Sequence, residues 1–407
     1  MVGSAVAFLL GIAFSICLYG AVSRYRTRWT GTRVQTLLSS RLYHVIVGWV
    51  LGYTCLPALN EALLLGVVMS AVFLAGWSSM AFGCSVDWRV IKGMSLQTLR
   101  AEAGQVAVLL GALAGALFLT KTGTLLGGGG LLALGGIMAM SLPQSRGNSK
   151  NMRMRGQAHR TPSLSIGIGM VLLGVGSLQM RSEIPIVLYL PFANPILLEG
   201  LAGRAFCCLG IGAAVGLVID LVTRGTGPRY FAYLVGAGIL LGVGMGVNVA
   251  VEPVWIGLVA GIWIIHTTLH RVEILRLAEG GATALQICSL SAAGLLIGSQ
   301  PAEGLVSGPL FGMSLALFVG LPAIRLVGER MAGPVRRQRA HVRRLFDWGD
   351  LGLVGVFALT IGVGPDFAAT VACAWLLSRT LYTLIGDALT DAVLRLLERP
   401  VAAGISS

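Results

Sequence analysis

The chain has 407 residues, of which 55% are hydrophobic and only 12% are charged, and its mean hydropathy is +0.82. An average soluble domain has about 25% charged residues, so a water-soluble globule of this length would lack polar residues to cover its surface. The formal net charge is +13. The basic residues that produce it lie in short gaps between apolar runs, a distribution that indicates membrane topology and not a nucleic-acid partner.

Apolar runs long enough to cross about 30 Å of hydrocarbon recur along the whole chain. The first has no basic residues before it, so it is expected to be a retained helix and not a cleaved signal peptide. We predict an all-α polytopic membrane protein with about thirteen transmembrane helices, at residues 2–22, 43–59, 62–85, 103–120, 124–142, 163–180, 201–222, 230–247, 250–268, 280–299, 304–324, 349–364 and 367–386.

The region 181–200 is the exception among the apolar stretches. It contains Pro185, Pro191 and Pro195, and proline interrupts the helix interior because it lacks an N–H group and clashes with the preceding turn. An interfacial or re-entrant segment is therefore as consistent with these residues as a membrane span.

Basic residues alternate strongly between the gaps that separate the predicted helices. In and beside the even-numbered gaps there are only Lys121, Arg181 and Arg204, whereas the odd-numbered gaps hold clusters at 24–41, 89–100, 146–160, 224–229, 271–276 and 330–344. Cytoplasmic loops are enriched in lysine and arginine. This pattern predicts a multi-pass protein of a bacterial inner membrane, with its N-terminus outside and its C-terminus in the cytoplasm.

The polar loops 143–162 and 328–350 are both basic, and we expect membrane lipid headgroups to be their partners. Nucleic acid is disfavoured because both loops nearly lack the aromatic residues on which bases stack. No metal site, cofactor or enzyme is predicted, since no nucleophile–base arrangement occurs near a loop. The cysteines lie inside apolar segments without a CxxC pair and read as small core residues, namely Cys17, Cys55, Cys84, Cys207, Cys208, Cys288 and Cys373.

Three stretches of the chain resemble the monovalent cation:proton antiporter superfamily, the sodium/hydrogen exchanger-like proteins. The first combines HVIVGW at 44–49, FLAGW at 73–77 and DWRVIK at 87–92. The second is IGLVAG at 256–261 followed by HRVE at 270–273, and the third is LPAIRLVG at 321–328. They occur in the family's order, and the plan of about thirteen helices agrees with the family.

The resemblance implies one antiporter-like transmembrane domain over 1–407, with a first repeat at about 1–180, a linker helix at 201–222 and an inverted second repeat at 230–386. It also implies alternating access, Na⁺ or K⁺ exchanged for H⁺, and a homodimer. Two broken helices are expected to line the ion site, at 124–142 and 349–364. The glycines of these two segments are equally consistent with close helix packing alone.

The residues that the resemblance places at the helix break and ion site are Ser141, Pro143 and Arg325. Cation–proton exchange also needs a buried carboxylate, yet the helix at 163–180, which carries it in the family, contains no acidic residue. Without an acidic partner, Arg325 is expected to extend to the cytoplasmic surface.

Acidic residues elsewhere, including Glu102 and Glu252, lie at or near segment ends, where we expect water and headgroups to solvate them. The candidates that could still reach a cavity are Asp220, Glu61 and Asp366. If none does, the alternative is a transport-inactive structural or regulatory subunit of a membrane complex.

Overall fold

The computed structural model describes residues 41–55, 61–86, 96–120, 123–142, 164–180, 186–188, 196–198, 200–227, 230–248, 252–300, 308–332, 342–343, 345–346, 349, 351–362 and 365–398. Within these residues the chain is almost entirely helical, as predicted. The helices are α1 Tyr43–Cys55, α2 Glu61–Ser85, α3 Leu96–Thr120, α4 Gly123–Met140, α5 Leu164–Met180, α6 Gly200–Arg224, α7 Phe231–Asn248, α8 Pro253–Thr267, α9 Arg271–Gly298, α10 Pro309–Ala332, α11 Leu351–Gly362 and α12 Pro365–Glu398.

Each predicted segment from 43–59 onward overlaps one of these helices, and the segment 2–22 lies outside the described residues. The largest boundary differences are extensions: α9 begins at Arg271 and α12 continues to Glu398. The added turns carry charged side chains. A hydropathy criterion excludes such residues from an apolar segment, but an α-helix can continue through them where its surface faces water. Apolar length therefore underestimates these helices.

The region 181–200 contains two short strands, β1 Ile186–Leu188 and β2 Ile196–Leu198. They pair antiparallel, with Val187 opposite Leu197. The possibility of a helical span across this region is therefore wrong, because six of its residues are extended. Lipid-exposed strand edges are not tolerated in hydrocarbon, so this hairpin agrees better with the interfacial or re-entrant reading.

Glycine allows α2 and α8 to approach to backbone contact. A Cβ added at Gly257 would lie 2.1 Å from the carbonyl oxygen of Gly76, and one at Gly261 would lie 2.2 Å from that of Met80. Small residues four apart form such contacts in membrane helices, where lipid supplies no hydrophobic driving force. These glycines thus serve close packing of α2 and α8.

The pair α1 and α9 is built in the same way. A Cβ at Gly48 would lie 2.0 Å from the carbonyl oxygen of Ser291, and one at Gly294 would lie 2.1 Å from that of Val45. The pair α4 and α5 repeats the arrangement, since a Cβ at Gly176 would lie 2.5 Å from the carbonyl oxygen of Gly129. Three helix pairs are therefore locked by backbone-to-backbone contact.

The short helix α11 lies at the centre of the described bundle. It packs against α2, α4, α5, α9 and α12. Every side chain from Leu353 to Leu359 is buried, with Gly355 the one residue of the stretch that lacks a side chain. They join residues of α4 and α5, such as Ile137 and Leu173, in one apolar core. Within the described residues, α11 and the adjoining part of α4 are consequently surrounded by other helices.

Three helices within the described residues are long and apolar enough to cross a membrane, at Leu201–Arg224, Leu310–Gly328 and Asp366–Arg395. Large apolar side chains such as Phe206, Tyr233 and Leu240 are also strongly exposed on the surface of the bundle. Both features agree with a protein that associates with a membrane.

Candidate functional site

Ser141 lies at the C-terminal end of α4, where the sequence predicts a helix break. Its N–H still bonds the carbonyl of Ile137 at 2.9 Å, so the helical turn ends at this residue. Its own carbonyl oxygen accepts the N–H of Gly349, just before α11, at 2.7 Å. The two segments expected to be broken helices therefore meet through a backbone hydrogen bond at Ser141. Pro143 lies outside the described residues.

Arg325, on α10, joins this meeting point. Its guanidinium donates to the carbonyl oxygens of Ser141 at 2.9 Å and Leu345 at 2.7 Å. Only 2% of the residue is exposed, so the expected extension to the surface is wrong. A cation is favoured at a helix C-terminus, where unbonded carbonyls carry partial negative charge. Arg325 thus satisfies the end of α4 from inside the protein.

A second layer holds Ser141 from the side of α12. Trp375 is fully buried and its indole N–H donates to the Ser141 hydroxyl oxygen at 2.9 Å. Arg379 lies over the indole ring, 5.1 Å from its centroid, in a cation–π arrangement. A Cβ at Gly352 would fall 1.9 Å from the same hydroxyl oxygen. Only glycine therefore fits beside Ser141 at the start of α11.

The bond between Trp375 and Ser141 should be measurable as a coupling energy. In a double-mutant cycle of Trp375→Phe and Ser141→Ala, we expect about 1 kcal/mol of coupling in the free energy of unfolding, because one buried neutral hydrogen bond is removed. The same cycle with Ser299→Ala, at the end of α9, should show no coupling. Additive losses in the first cycle would mean that the indole does not hold Ser141.

The C-terminal half of α5 receives a carboxylate from the start of α8. Glu252 is 1% exposed, and its Oε2 accepts a hydrogen bond from the Ser177 hydroxyl at 2.5 Å. Glu252 occupies the N-cap position of α8 but makes no side-chain capping bond there. Its side chain turns instead to α5. The expectation that Glu252 is solvated at a segment end is therefore wrong.

Trp255 fixes the same contact between α8 and α5. Its indole N–H donates to the carbonyl oxygen of Met170 at 3.1 Å. A Cβ at Gly174 would overlap the indole ring, with its nitrogen only 1.7 Å away. Helix α6 joins this contact, since its Cys208 packs with Leu178 of α5 and Ile256 of α8 in one apolar cluster, and Arg204, one turn earlier on α6, is fully buried. Glu252 is thus enclosed by three helices.

The opposite end of α5 also receives a carboxylate. Glu102, on α3, is buried, and its Oε2 accepts the backbone N–H groups of Leu164 and, at 3.4 Å, Ser165. These N–H groups have no partner within their own helix, and a carboxylate there also gains from the helix dipole. The expected solvation of Glu102 is wrong for the same reason as that of Glu252, since neighbouring helices cover both.

The three carboxylates singled out from the sequence have different outcomes. Asp220, on α6, is 1% exposed and pairs with Arg224 at 2.7 Å. Asp366 is exposed in the first turn of α12, where solvent and the helix N-terminus stabilise it. Glu61 is the first residue of α2, and its side chain is outside the described part of the chain. Of the two described, only Asp220 is enclosed by protein.

The described residues therefore contain two separate clusters. Ser141 and Arg325 come together as the sequence suggested, and Glu102 and Glu252, which it did not single out, reach the two ends of α5. No protein-family model and no curated protein matches this chain. Its membership of the antiporter superfamily accordingly stays a prediction from three stretches of sequence.

Proposed function

We propose that this chain is a divergent monovalent cation:proton antiporter-like protein of the bacterial inner membrane, which moves Na⁺ or K⁺ against H⁺ by alternating access. The observation that carries the proposal is the buried carboxylate of Glu252 on Ser177 of α5. The resemblance expects an exchange acid on α5, which has none. Glu252 supplies an acid to that helix from α8.

The chemistry of this cluster suits exchange. An ionised carboxylate, a hydroxyl and backbone carbonyls are hard oxygen ligands of the kind that alkali cations accept, and the neutral carboxylic acid carries the proton. Cation and proton then compete for one group, so only one of them can be bound at a time. In this structure the Ser177 hydroxyl donates a hydrogen bond to Glu252. Rotation of the hydroxyl hydrogen would leave a lone pair of its oxygen facing a bound cation.

The packing of the helices also supports the proposal. In an inverted repeat, α1 to α5 would correspond in order to α8 to α12. The contact of α1 with α9 would then correspond to the contact of α8 with α2, and a two-fold axis would relate the two contacts. Both pairs pack closely through glycine, and α3 on α10 and α4 on α11 are also in contact, as helices near that axis would be. Inverted repeats of secondary transporters generate this pattern.

The remaining parts of the proposal concern topology and assembly. Thirteen membrane crossings, an outside N-terminus and a cytoplasmic C-terminus follow from the segment lengths and the alternation of basic residues. The linker helix corresponds to α6, and a homodimer follows from the resemblance alone. In this arrangement Glu252 lies towards the outer face, and Ser141 with Arg325 lies towards the cytoplasm.

Glu252→Gln should abolish cation-dependent proton movement in proteoliposomes that contain a pH-sensitive dye. The amide keeps the shape of the side chain but can neither ionise nor take up a proton. We expect a loss of at least about 100-fold in initial rate, because the exchanging group itself is removed. Asp366→Asn, at an exposed carboxylate, should retain the wild-type rate, and thermal unfolding of each variant reports whether it is folded.

Two outcomes would contradict the proposal. If the folded wild-type protein moves no protons with Na⁺ or K⁺ at any pH from about 6 to 9, a range that brackets the usual working pH of proteins, and co-purifies with other membrane proteins, the inactive subunit of a membrane complex is the better description. If Glu252→Gln keeps the wild-type rate, the exchange acid lies elsewhere.

A further inference from the structure

Asp220 continues a stripe of α6 that packs against α8. Gly212 and Gly216 precede it at four-residue intervals. A Cβ at Gly212 would lie 2.9 Å from the carbonyl oxygen of Ile256, and one at Gly216 would lie 3.1 Å from that of Ala260. Because each step of four residues on α6 matches a step of four on α8, the helices run parallel here. Asp220 is therefore level with Ile264.

The carboxylate of Asp220 is enclosed but only half satisfied. The residue is 1% exposed, and its Oδ2 accepts a hydrogen bond from Arg224 at 2.7 Å. Within the described part of the chain, its Oδ1 has no hydrogen-bond partner. A buried acceptor without a partner bears the whole cost of losing its hydrating water, and this cost is larger when the group is charged. This oxygen therefore needs a ligand that the described residues do not supply.

The end of α8 that lies level with Asp220 offers carbonyl acceptors. Helix α8 ends at Thr267, and Thr268 N–H bonds the carbonyl of Ile264 at 2.9 Å. The last carbonyls of a helix lack intrahelical partners and form its negative pole. The nearly buried Thr268 already uses its hydroxyl oxygen to accept the N–H of His270 at 3.3 Å. A cation beside the Asp220 carboxylate would also be favoured by the negative end of α8.

Few ionisable side chains lie on the described helices that pack against α6. The helices that pack against α6, namely α5, α7 and α8, contain between them only Tyr233 and His266 as ionisable side chains. Both are exposed, and His266 Nδ1 lies 2.8 Å from its own helix carbonyl at Ile262. In the connection after α8, His270 packs its ring against Phe231. Within the described residues, Arg224 is the charged side chain seen in contact with the Asp220 carboxylate, and it is 48% exposed.

We propose that Asp220, together with oxygen atoms at the C-terminal end of α8, forms a binding site for an alkali cation, Na⁺ or K⁺, which replaces the guanidinium of Arg224. The half-exposed arginine swings into solvent as the ion enters, so the carboxylate always faces one positive charge. This site lies on the linker helix, apart from Ser177 and Glu252, and goes beyond the proposed exchange reaction.

The test measures thermal unfolding of the full-length purified protein in detergent, titrated with NaCl or KCl against choline chloride at constant ionic strength. A cation that binds the folded state raises the unfolding temperature in a saturable way. We expect saturable stabilisation of the wild type, and Asp220→Asn should raise the half-saturating cation concentration by more than about tenfold. Arg224→Gln should lower it at least about threefold, because a competing internal cation is removed.

The Arg224→Gln variant separates cation binding from a purely structural role. If the ion pair only held α6 in place, both Asp220→Asn and Arg224→Gln would destabilise the protein, and neither would bind the cation more tightly. The same titrations in a Glu252→Gln background remove any cation bound at the proposed exchange site, and the shift that remains should still depend on Asp220 and Arg224. The proposal is overturned if the wild type shows no difference between alkali cations and choline, if Asp220→Asn keeps the wild-type titration, or if Arg224→Gln does not tighten it. Loss of the shift in Glu252→Gln alone would assign the cation to the exchange site.

Discussion

Replacement of Gly257 by alanine is expected to destabilise the protein severely, although alanine is the better helix former. The new Cβ would lie 2.1 Å from the carbonyl oxygen of Gly76 and 2.2 Å from the hydroxyl oxygen of Ser79. Neither neighbour can retreat, because the first is backbone and the second bonds the same carbonyl at 2.9 Å. We expect α2 and α8 to separate, with a loss of about 3 kcal/mol or more in the free energy of unfolding.

The matched control is the same substitution at Gly244 in α7, where a Cβ would meet nothing within 4 Å. There the intrinsic helix propensity should dominate, so Gly244→Ala is expected to raise the free energy of unfolding by up to about 1 kcal/mol. Thermal unfolding in detergent micelles, followed by circular dichroism, compares the two variants directly. Equal effects of the same sign at both positions would show that the α2–α8 contact is not as close as described.

Replacement of Arg325 by alanine is the second change with a large expected effect. The variant would leave the carbonyl oxygens of Ser141 and Leu345 without their buried donor. Hydrogen bonds from a charged group contribute about 1.5–3 kcal/mol each, and buried acceptors left without a partner cost further free energy. We therefore expect a loss of about 3–5 kcal/mol, together with loosening of the contact between α4 and α11.

Arg330→Ala provides the comparison, since Arg330 is exposed on the same helix and should change stability by less than about 0.5 kcal/mol. Arg325→Lys should recover only part of the loss, because an ammonium group is a single point and cannot reach two carbonyls with the planar geometry of a guanidinium. Full recovery with lysine would indicate that the charge alone matters. If Arg325→Ala had the stability of the wild type, Arg325 would not hold the end of α4.

The positions of the helices could be predicted from the sequence because hydrocarbon-length apolar runs have few alternatives. The boundaries were less predictable. Helix α9 starts at Arg271 and its first turns include Glu273 and Arg276, which hydropathy alone assigns to a loop. The hairpin of Ile186–Leu188 and Ile196–Leu198 was ambiguous for another reason, since short apolar runs bounded by proline fit a strand, an interfacial segment or a broken span.

The candidate site was predictable only in part. Ser141 and Arg325 were singled out through the resemblance, and they are in contact. The buried carboxylates were missed because position along a helix does not determine burial. Glu252 lies at the N-cap of α8 and Glu102 in the second turn of α3, and contacts with α5 bury both side chains. Trp255, which fixes α8 on α5, carries no sequence signal that separates it from an ordinary core aromatic residue.

The length of α11 has a consequence for how transmembrane voltage would act on this protein. Its 12 residues rise about 18 Å, which leaves about 12 Å of a 30 Å hydrocarbon layer uncrossed. Unbonded backbone groups at its ends cannot face lipid and have to be covered by protein or reached by water. Where water reaches them, the electric field drops across a thinner barrier. An ion bound near that barrier would cross much of the potential, about 2.3 kcal/mol per charge at 100 mV, through a small displacement.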